Sequence, residues 1–173
     1  MCGIIGYIGT NRNATAIVLD GLSKVEYRGY DSVGIGILQD NSLLIRKKNG
    51  RLADLIASMG ELPPSHIGIG HTRWATHGVP SDHNAHPHSD CTGKFAVVHN
   101  GIIENYSSLR KRLVSQGHDF TSDTDTEVIG HLLESHYQGS LEQAVRETLK
   151  ELQGSFALAI MCQDEPDKLI AVK

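Results

Sequence analysis

The sequence predicts a layered α+β domain, and three observations support that fold class. The chain has 173 residues, the length of one domain with a substantial hydrophobic core. Apolar segments of strand length are interspersed with segments in which apolar residues recur at helical spacing. The two kinds of segment do not follow the regular strand–helix–strand order of a parallel α/β fold. We therefore expect layered strands with helices packed on both faces.

In the first half of the chain, short apolar segments predict strands and apolar periodicity predicts two helices. The first helix is expected to begin near Asn13, a residue type that caps helices, and to end before Gly29. A second, shorter helix is expected over 51–59. Strands are predicted over 3–8, 32–38, 42–48 and 67–72.

The second half follows a long polar segment, 73–93, which is typical of a functional loop. Helices are predicted over 106–116, 124–134 and 140–152, and strands over 94–100, 155–161 and 168–173. Ser140 and Gln143 form a capping-box pattern at the start of the last helix. Because the last strand reaches Lys173 with no turn after it, we expect 1–173 to be a C-terminally shortened piece of a longer chain.

The composition argues against several classes of function. The net charge is −4 with both signs interspersed, which is unlike a nucleic-acid-binding surface or a polybasic membrane anchor. The apolar runs are too short to span a membrane, and the N-terminus lacks the features of a secretory signal. Three widely spaced cysteines predict free thiols in a reducing cytoplasm.

Cys2 is the first candidate for catalysis. Removal of Met1 would give Cys2 a free α-amine with a pKa of roughly 7.7–8. Such an amine could take the proton of a thiol whose pKa is about 8.5, so one residue would supply nucleophile and base. Gly3 would leave room for a substrate carbonyl beside the sulfur. Taken alone, Cys2 could equally be a small buried residue.

HTRWATHG, residues 71–78, is a candidate ligand-binding segment. The guanidinium of Arg73 is suited to bidentate binding of a carboxylate, and Thr76 and His77 add donors. Trp74 is the only tryptophan of the chain. A polar surface turn covered by one aromatic ring is the alternative.

Two further motifs each allow two interpretations. In HNGIIEN, the Asn100 amide and the Gly101 N–H could form an oxyanion hole, or the pair could be a plain Asn-Gly turn. In SDTDTEV, Asp123 or Asp125 could bind the ammonium group of a ligand, or these residues could cap a helix.

Histidines are concentrated in one part of the chain, since seven of the ten lie between His66 and His99. Three of them and Cys91 lie in the segment 83–91, where zinc could be a ligand. All four side chains would come from a single loop, whereas zinc ligands usually come from separate elements. We therefore expect a hydrogen-bonding loop and no metal. The zinc candidates on that loop are His83, His86, His88 and Cys91.

Together, the motifs describe a site for an amino acid whose side chain carries an electrophilic carbonyl, and glutamine fits. The motifs resemble, in the same order, those of the glutaminase domains of the glucosamine-6-phosphate synthases, the isomerizing glutamine–fructose-6-phosphate aminotransferases. The resemblance runs from Met1 to Lys173. The motifs are MCGIIGYIG, YRGYDS, HTRWATHG, NAHPH, HNGIIEN and TDTEV.

The resemblance implies a fold and a set of residue roles. The fold is the N-terminal-nucleophile hydrolase sandwich, four αββα layers with two antiparallel sheets, here shortened at its C-terminal end. Cys2 is implied to be the nucleophile, Asn100 and Gly101 the oxyanion hole, and Arg28 and Gly29 the residues that position the cysteine. The residues implied to bind or enclose glutamine are Arg73, Trp74, Thr76, His77, His86 and Asp125.

The resemblance also implies the reaction and its partners. Glutamine would be hydrolysed to glutamate and ammonia through a glutamyl thioester, without a cofactor or metal and only after loss of Met1. In the longer enzyme the ammonia would reach a C-terminal isomerase domain that binds fructose 6-phosphate and joins two subunits into a homodimer. Domain 1–173 lacks that portion. The rival hypotheses are a non-catalytic glutamine-binding module and a zinc-binding interaction domain.

Overall fold

The fold consists of two antiparallel β-sheets covered by helices. The computed structural model describes residues 2–75 and 78–173. The strands are β1 Gly3–Ile8, β2 Ser32–Gln39, β3 Ser42–Asn49, β4 Ile67–Arg73, β5 Phe95–Ile103, β6 Gly154–Cys162 and β7 Leu169–Val172. The helices are α1 Ala14–Val25, α2 Leu52–Ser58, α3 Tyr106–Ser115, α4 Glu127–His136 and α5 Leu141–Glu151, with a 3-10 helix at Glu26–Arg28.

The strand order defines two separate sheets. The first sheet has the order β1-β4-β2-β3 and the second the order β5-β6-β7, with every described pair antiparallel. In the first sheet, Gly3 pairs with Thr72 and Ser32 pairs with Arg73, so the start of β1 lies beside the end of β4. This register places Cys2 next to the segment that follows Arg73.

The fold has four layers, helices, sheet, sheet and helices, and an apolar cluster lies between each pair of neighbouring layers. One cluster packs α1 and α2 against the first sheet through Val18, Leu22 and Leu55. Another packs α3, α4 and α5 against the second sheet. The third lies between the two sheets, where Ile69 of β4 meets Val98 of β5. Because each sheet buries both faces, the predicted αββα sandwich is confirmed.

Helix starts agree with the sequence patterns except at α4. The Asn13 side chain accepts a hydrogen bond from the Thr15 N–H, and the Ser140 hydroxyl accepts one from the Gln143 N–H, so both predicted caps form. Helix α4 begins at Glu127, three residues later than predicted. In the segment before α4, the N–H groups of Thr121 and Ser122 donate hydrogen bonds to the Glu127 carboxylate.

Strand β5 also differs from its predicted limits. It continues through Gly101 to Ile103, three residues beyond the expected end, because Gly101 pairs with Phe156 of β6. The Asn-Gly pair therefore lies within a strand and does not form a turn.

Within the described residues, 2–75 and 78–173, no helix is both long enough and apolar enough to cross a membrane.

Candidate active site

A cavity of about 910 Å³ opens where β1 and β4 of the first sheet meet β5 of the second. Its size is that of a site for a small ligand. Residues predicted from the sequence that line it are Cys2, Arg28, Arg73, Trp74, His86, Asn100, Gly101 and Asp125. Gly29 lies behind the wall of the cavity. Met1, Thr76 and His77 fall outside the described residues.

The Cys2 thiol lies at the C-terminal end of β4. The Trp74 N–H donates to its Sγ at 3.1 Å, and the Sγ lies 3.5 Å from the Trp74 carbonyl oxygen. The Cys2 carbonyl oxygen accepts from Arg28 Nε and from Asn100 Nδ2, each at 3.2 Å. These four contacts hold both the sulfur and the backbone of Cys2 in place.

Gly29 allows the YRGYDS segment to pack closely against the end of β4. A Cβ at Gly29 would lie 2.6 Å from the Arg73 carbonyl carbon and 2.9 Å from the Trp74 nitrogen. Asp31, which the sequence did not single out, completes the contact. Its N–H donates to the Arg73 carbonyl at 3.1 Å, and its carboxylate accepts from the Ala75 N–H at 2.8 Å.

Asn100 and Gly101 face the cavity from β5. The Asn100 Oδ1 lies 2.8 Å from His71 Nε2, a contact that orients the amide so that its nitrogen points toward Cys2. Gly101 has a φ of +127°, and a Cβ there would lie 2.1 Å from the Ser155 carbonyl oxygen. Only glycine fits this position, because both the backbone conformation and the neighbouring strand exclude a side chain.

Arg73 and Asp125 place opposite charges on the cavity wall. Each residue is only 4% exposed. Burial lowers the pKa of Arg73, while the nearby charges of Cys2 and Asp125 act in the opposite direction. A guanidinium remains charged even so. The two side chains can therefore bind the two charged groups of an amino acid.

The two aspartates of SDTDTEV have different environments. One carboxylate oxygen of Asp125 accepts from the Ile103 N–H at 2.8 Å, and Asp125 lines the cavity. Asp123 instead lies beside Asn84, whose Oδ1 accepts from the Asp123 N–H at 2.9 Å. Neither aspartate occupies the N-cap of α4, which is Thr126. The structure thus places Asp125, and not Asp123, toward the cavity.

A buried histidine network supports Asn100. The sequence predicted a hydrogen-bonding loop at 83–91 but not its connection to His71 and His99. His86 Nδ1 lies 3.3 Å from His71 Nε2, and the Thr126 hydroxyl lies 3.0 Å from His86 Nε2 and 2.9 Å from His99 Nδ1. The network thereby connects β4, β5 and the start of α4. The only signal in the sequence was the concentration of histidines between His66 and His99.

His71, His86 and His88 are neutral at physiological pH. Burial lowers the pKa of His71 to about 3, and burial followed by the charge of His71 lowers that of His86 well below its usual range. His88 is likewise buried with a lowered pKa, and its Nε2 lies 3.0 Å from the Thr124 hydroxyl. His86 and His88 are therefore engaged in hydrogen bonds within the core.

Two facing antiparallel sheets between helical layers, with a thiol at the head of the first strand, define the class of N-terminal-nucleophile hydrolase folds. Solved structures of that class match closely. Glutamine phosphoribosylpyrophosphate amidotransferase from B. subtilis superposes with a TM-score of 0.80 at 29% identity over 94% of this chain and 35% of that one. The "allosteric regulatory enzyme of purine biosynthesis" gives a TM-score of 0.81 at 27% identity, over 94% of this chain and 36% of that one.

Within this class the chain belongs to the glutamine amidotransferase family. The family model described as "Glutamine amidotransferase domain" matches residues 71–173, which is more than half of the chain. Two curated relatives are called "Glutamine--fructose-6-phosphate aminotransferase [isomerizing]". The one from Symbiobacterium thermophilum is 56% identical over 100% of this chain and 28% of its own length. The one from Thermococcus kodakarensis is 55% identical over 100% of this chain and 29% of its own length. The chain therefore spans less than a third of these relatives.

Proposed function

We propose that this domain hydrolyses the side-chain amide of L-glutamine with Cys2 as nucleophile. The observation that carries the proposal is the convergence of Cys2, Asn100, Arg73 and Asp125 on one cavity, from positions spread over more than 120 residues of sequence. A thiol, an amide donor, a cation and an anion are the groups that glutamine hydrolysis requires. The family membership supports the same reaction.

In the proposed mechanism, loss of Met1 frees the α-amine of Cys2. That amine takes the thiol proton while the sulfur attacks the amide carbon. The tetrahedral oxyanion accepts hydrogen bonds from the Asn100 side-chain amide and the Gly101 N–H. Collapse of the intermediate breaks the C–N bond, and the α-ammonium group returns the proton to the leaving ammonia. Water then attacks the thioester, and glutamate leaves.

The placement of Asn100 supports the oxyanion assignment. Its nitrogen already donates one N–H to the Cys2 carbonyl, and its oxygen is held by His71. The second N–H of the amide is proposed to donate to the oxyanion. Loss of one such donor typically costs about 3–4 kcal/mol of transition-state stabilisation.

Substrate recognition is assigned to the charged walls of the cavity. Arg73 would bind the α-carboxylate of glutamine, and Asp125 its α-ammonium group. Trp74 is 46% exposed and packs edge-on against Tyr30 at 5.6 Å, which suits a residue that covers the substrate. Thr76 and His77 are proposed to add donors. His86 is proposed to act near the substrate through its contacts with His71 and Thr126.

We also propose the wider setting of this reaction. Residues 1–173 would form the glutaminase domain of a longer cytoplasmic enzyme. Its isomerase portion would use the ammonia to convert fructose 6-phosphate to glucosamine 6-phosphate. The names of the curated relatives support this assignment, as does their length. A homodimer would form through that second portion.

The test combines intact mass, labelling and activity on one sample. A chain that has lost Met1 is expected to release ammonia from glutamine and to be labelled at Cys2 by 6-diazo-5-oxonorleucine. Cys2→Ala should lower kcat by at least about 1,000-fold. The matched control is His83→Gln, an exposed side chain outside the cavity, which should keep the parent rate. Peptide mapping should find the label on Cys2 and not on the exposed Cys91.

Two results would contradict the proposal. One is a Cys2→Ala chain that releases ammonia at the parent rate. The other is a chain without Met1 that binds glutamine but releases no ammonia, which would establish the non-catalytic glutamine-binding alternative.

A further inference from the structure

A second group of reactive side chains lies on the helical layer over the second sheet, outside the glutamine cavity. It comprises Cys91 from the loop before β5, His118 from the segment after α3, and His131 and Glu134 from α4. One ligand atom from each residue lies within 4.8 Å of the others. His131 and Glu134 are three positions apart and therefore share one face of the helix. Three separate segments thus converge on one point.

Three of the distances within this Cys91 cluster are close to those of a tetrahedral metal shell, and all four ligand atoms lie within 4.8 Å of one another. The Cys91 Sγ lies 3.6 Å from His118 Nδ1 and 3.4 Å from His131 Nδ1. The Glu134 Oε2 lies 3.0 Å and 3.5 Å from the same two nitrogens. With Zn–N and Zn–O distances of about 2.0–2.1 Å and Zn–S of about 2.3 Å, neighbouring ligands of tetrahedral zinc are separated by about 3.3–3.6 Å.

Hydrogen bonding alone accounts poorly for this arrangement. Each Nδ1 faces both the sulfur and the carboxylate oxygen, yet an imidazole nitrogen carries at most one hydrogen, which lies in the plane of the ring. It cannot donate well to two acceptors at once. A cation between the four atoms would satisfy every contact together.

A hydrogen bond orients His118 for a metal, and a carboxylate lies near the far nitrogen of His131. The far nitrogen of His118, Nε2, lies 3.1 Å from the Ser135 hydroxyl. The far nitrogen of His131 lies 3.9 Å from a carboxylate oxygen of the buried Glu127. Metal-binding histidines characteristically direct their other nitrogen to such a partner, which fixes the ring orientation. The Cys91 sulfur also accepts from the Asp119 N–H at 3.4 Å.

The electrostatics of the metal-free cluster are consistent with a cation-binding role. Burial, followed by the carboxylate charge of Glu134, raises the pKa of the Cys91 thiol. A thiol and a carboxylate held together would therefore gain from a divalent cation between them. Burial raises the pKa of Glu127, but the nearby His131 and the hydrogen bonds from Ser122 and Thr121 outweigh that effect and hold the pKa well below its usual range. Glu127 thus remains ionised behind His131.

We propose that Cys91, His118, His131 and Glu134 bind one Zn²⁺ ion. One thiolate, two imidazoles and one carboxylate favour zinc over Mg²⁺ or Ca²⁺, which prefer all-oxygen ligands. Four protein ligands leave no open position, so the ion is structural. It ties the loop before β5 and the segment after α3 to α4. This site shares only Cys91 with the loop-borne ligand set considered from the sequence, because His86 and His88 point into the core.

The first measurement is the metal content and spectrum of the full chain. After stripping and reloading, one zinc per chain is expected by elemental analysis. Replacement by Co²⁺ should give the intense visible absorption of a four-coordinate ion and a thiolate-to-cobalt charge-transfer band. Zinc should also slow alkylation of Cys91 by at least tenfold. A parent chain that retains no zinc, or that shows no charge-transfer band with Co²⁺, would overturn the proposal.

Variants separate this site from adventitious binding. Cys91→Ser and His131→Gln should each lower zinc affinity by at least about 100-fold, since even loss of an outer partner costs about 10–100-fold. The control is His83→Gln, an exposed histidine of the neighbouring loop, which should keep the parent affinity. Circular dichroism of each variant without zinc checks that it folds. If a variant unfolds, the effect of zinc on Cys91 alkylation in the parent chain tests the site instead. Equal zinc affinity in Cys91→Ser and the parent, or loss of zinc only in His83→Gln, would refute the site. The test does not depend on glutaminase activity.

Discussion

Acidification from pH 7 to pH 5 should destabilise this fold through its buried histidines. His71, His86 and His88 are at most 4% exposed, and burial lowers the pKa of each below its usual value of 6.5. The folded chain therefore keeps these rings neutral, whereas the unfolded chain takes up protons as the pH falls through 6.5. Stability from these groups is complete above that pH and is lost as the pH falls toward the folded pKa values.

The size of the effect follows from linkage. The pKa of His71 is about 3 in the folded chain, so at pH 5 only the unfolded state binds its proton. Each pH unit below the unfolded pKa costs about 1.36 kcal/mol, which gives about 2 kcal/mol for His71 at pH 5. His86 and His88 have the same direction of shift, so their losses add to that of His71, against a typical unfolding free energy of about 5–15 kcal/mol.

Urea unfolding followed by circular dichroism at pH 7, 6 and 5 measures this loss. The free energy of unfolding should fall with decreasing pH, and the slope between pH 6 and pH 5 should correspond to several protons. His88→Gln should reduce the pH dependence by about one proton, whereas His83→Gln on the surface should leave it unchanged. A change below about 1 kcal/mol between pH 7 and pH 5 would refute the reasoning.

Two substitutions test how the cavity is built. Gly29→Ala places a methyl group 2.6 Å from the Arg73 carbonyl carbon, so the end of β4 that holds Cys2 must shift, and kcat for glutamine hydrolysis should fall by about 100-fold. Thermal unfolding and ammonia release are measured together, and a parent-like rate would contradict this role. Asp125→Asn keeps an acceptor for the Ile103 N–H but removes the charge, so KM for glutamine should rise by about tenfold or more. An unchanged KM would exclude Asp125 from binding the ammonium group.

The secondary structure was largely predictable because local patterns determine it. Short apolar segments located the strands and helical apolar periodicity the helices, and Asn13 and Ser140 cap helices as expected. The errors fall where contacts outside the local apolar pattern decide the limits of an element. Strand β5 extends past Asn100 because β6 pairs with it, and α4 starts late because the Glu127 carboxylate accepts hydrogen bonds from Thr121 and Ser122.

The candidate site was predictable as a set of residue types and not as a geometry. Sequence motifs selected Cys2, Arg73, Asn100 and Gly101, but the contact between Cys2 and Asn100 joins residues 98 positions apart. Reasoning from the residues alone left Asp123 and Asp125 open, and the resemblance to a known family favoured Asp125. The structure places Asp125 on the cavity wall because its carboxylate accepts from β5.

The sequence by itself determined the layered fold class, the thiol chemistry open to Cys2 and the residue types for binding an amino acid, since these follow from composition and local pattern. Only the tertiary structure decided which histidines are buried in the core and which belong to the proposed zinc site. His86 points inward toward Thr126, whereas Cys91 meets His118 and His131 from other segments. The reason is physical: ligand sets and hydrogen-bond networks depend on distances between residues far apart in the chain, and packing alone fixes those distances.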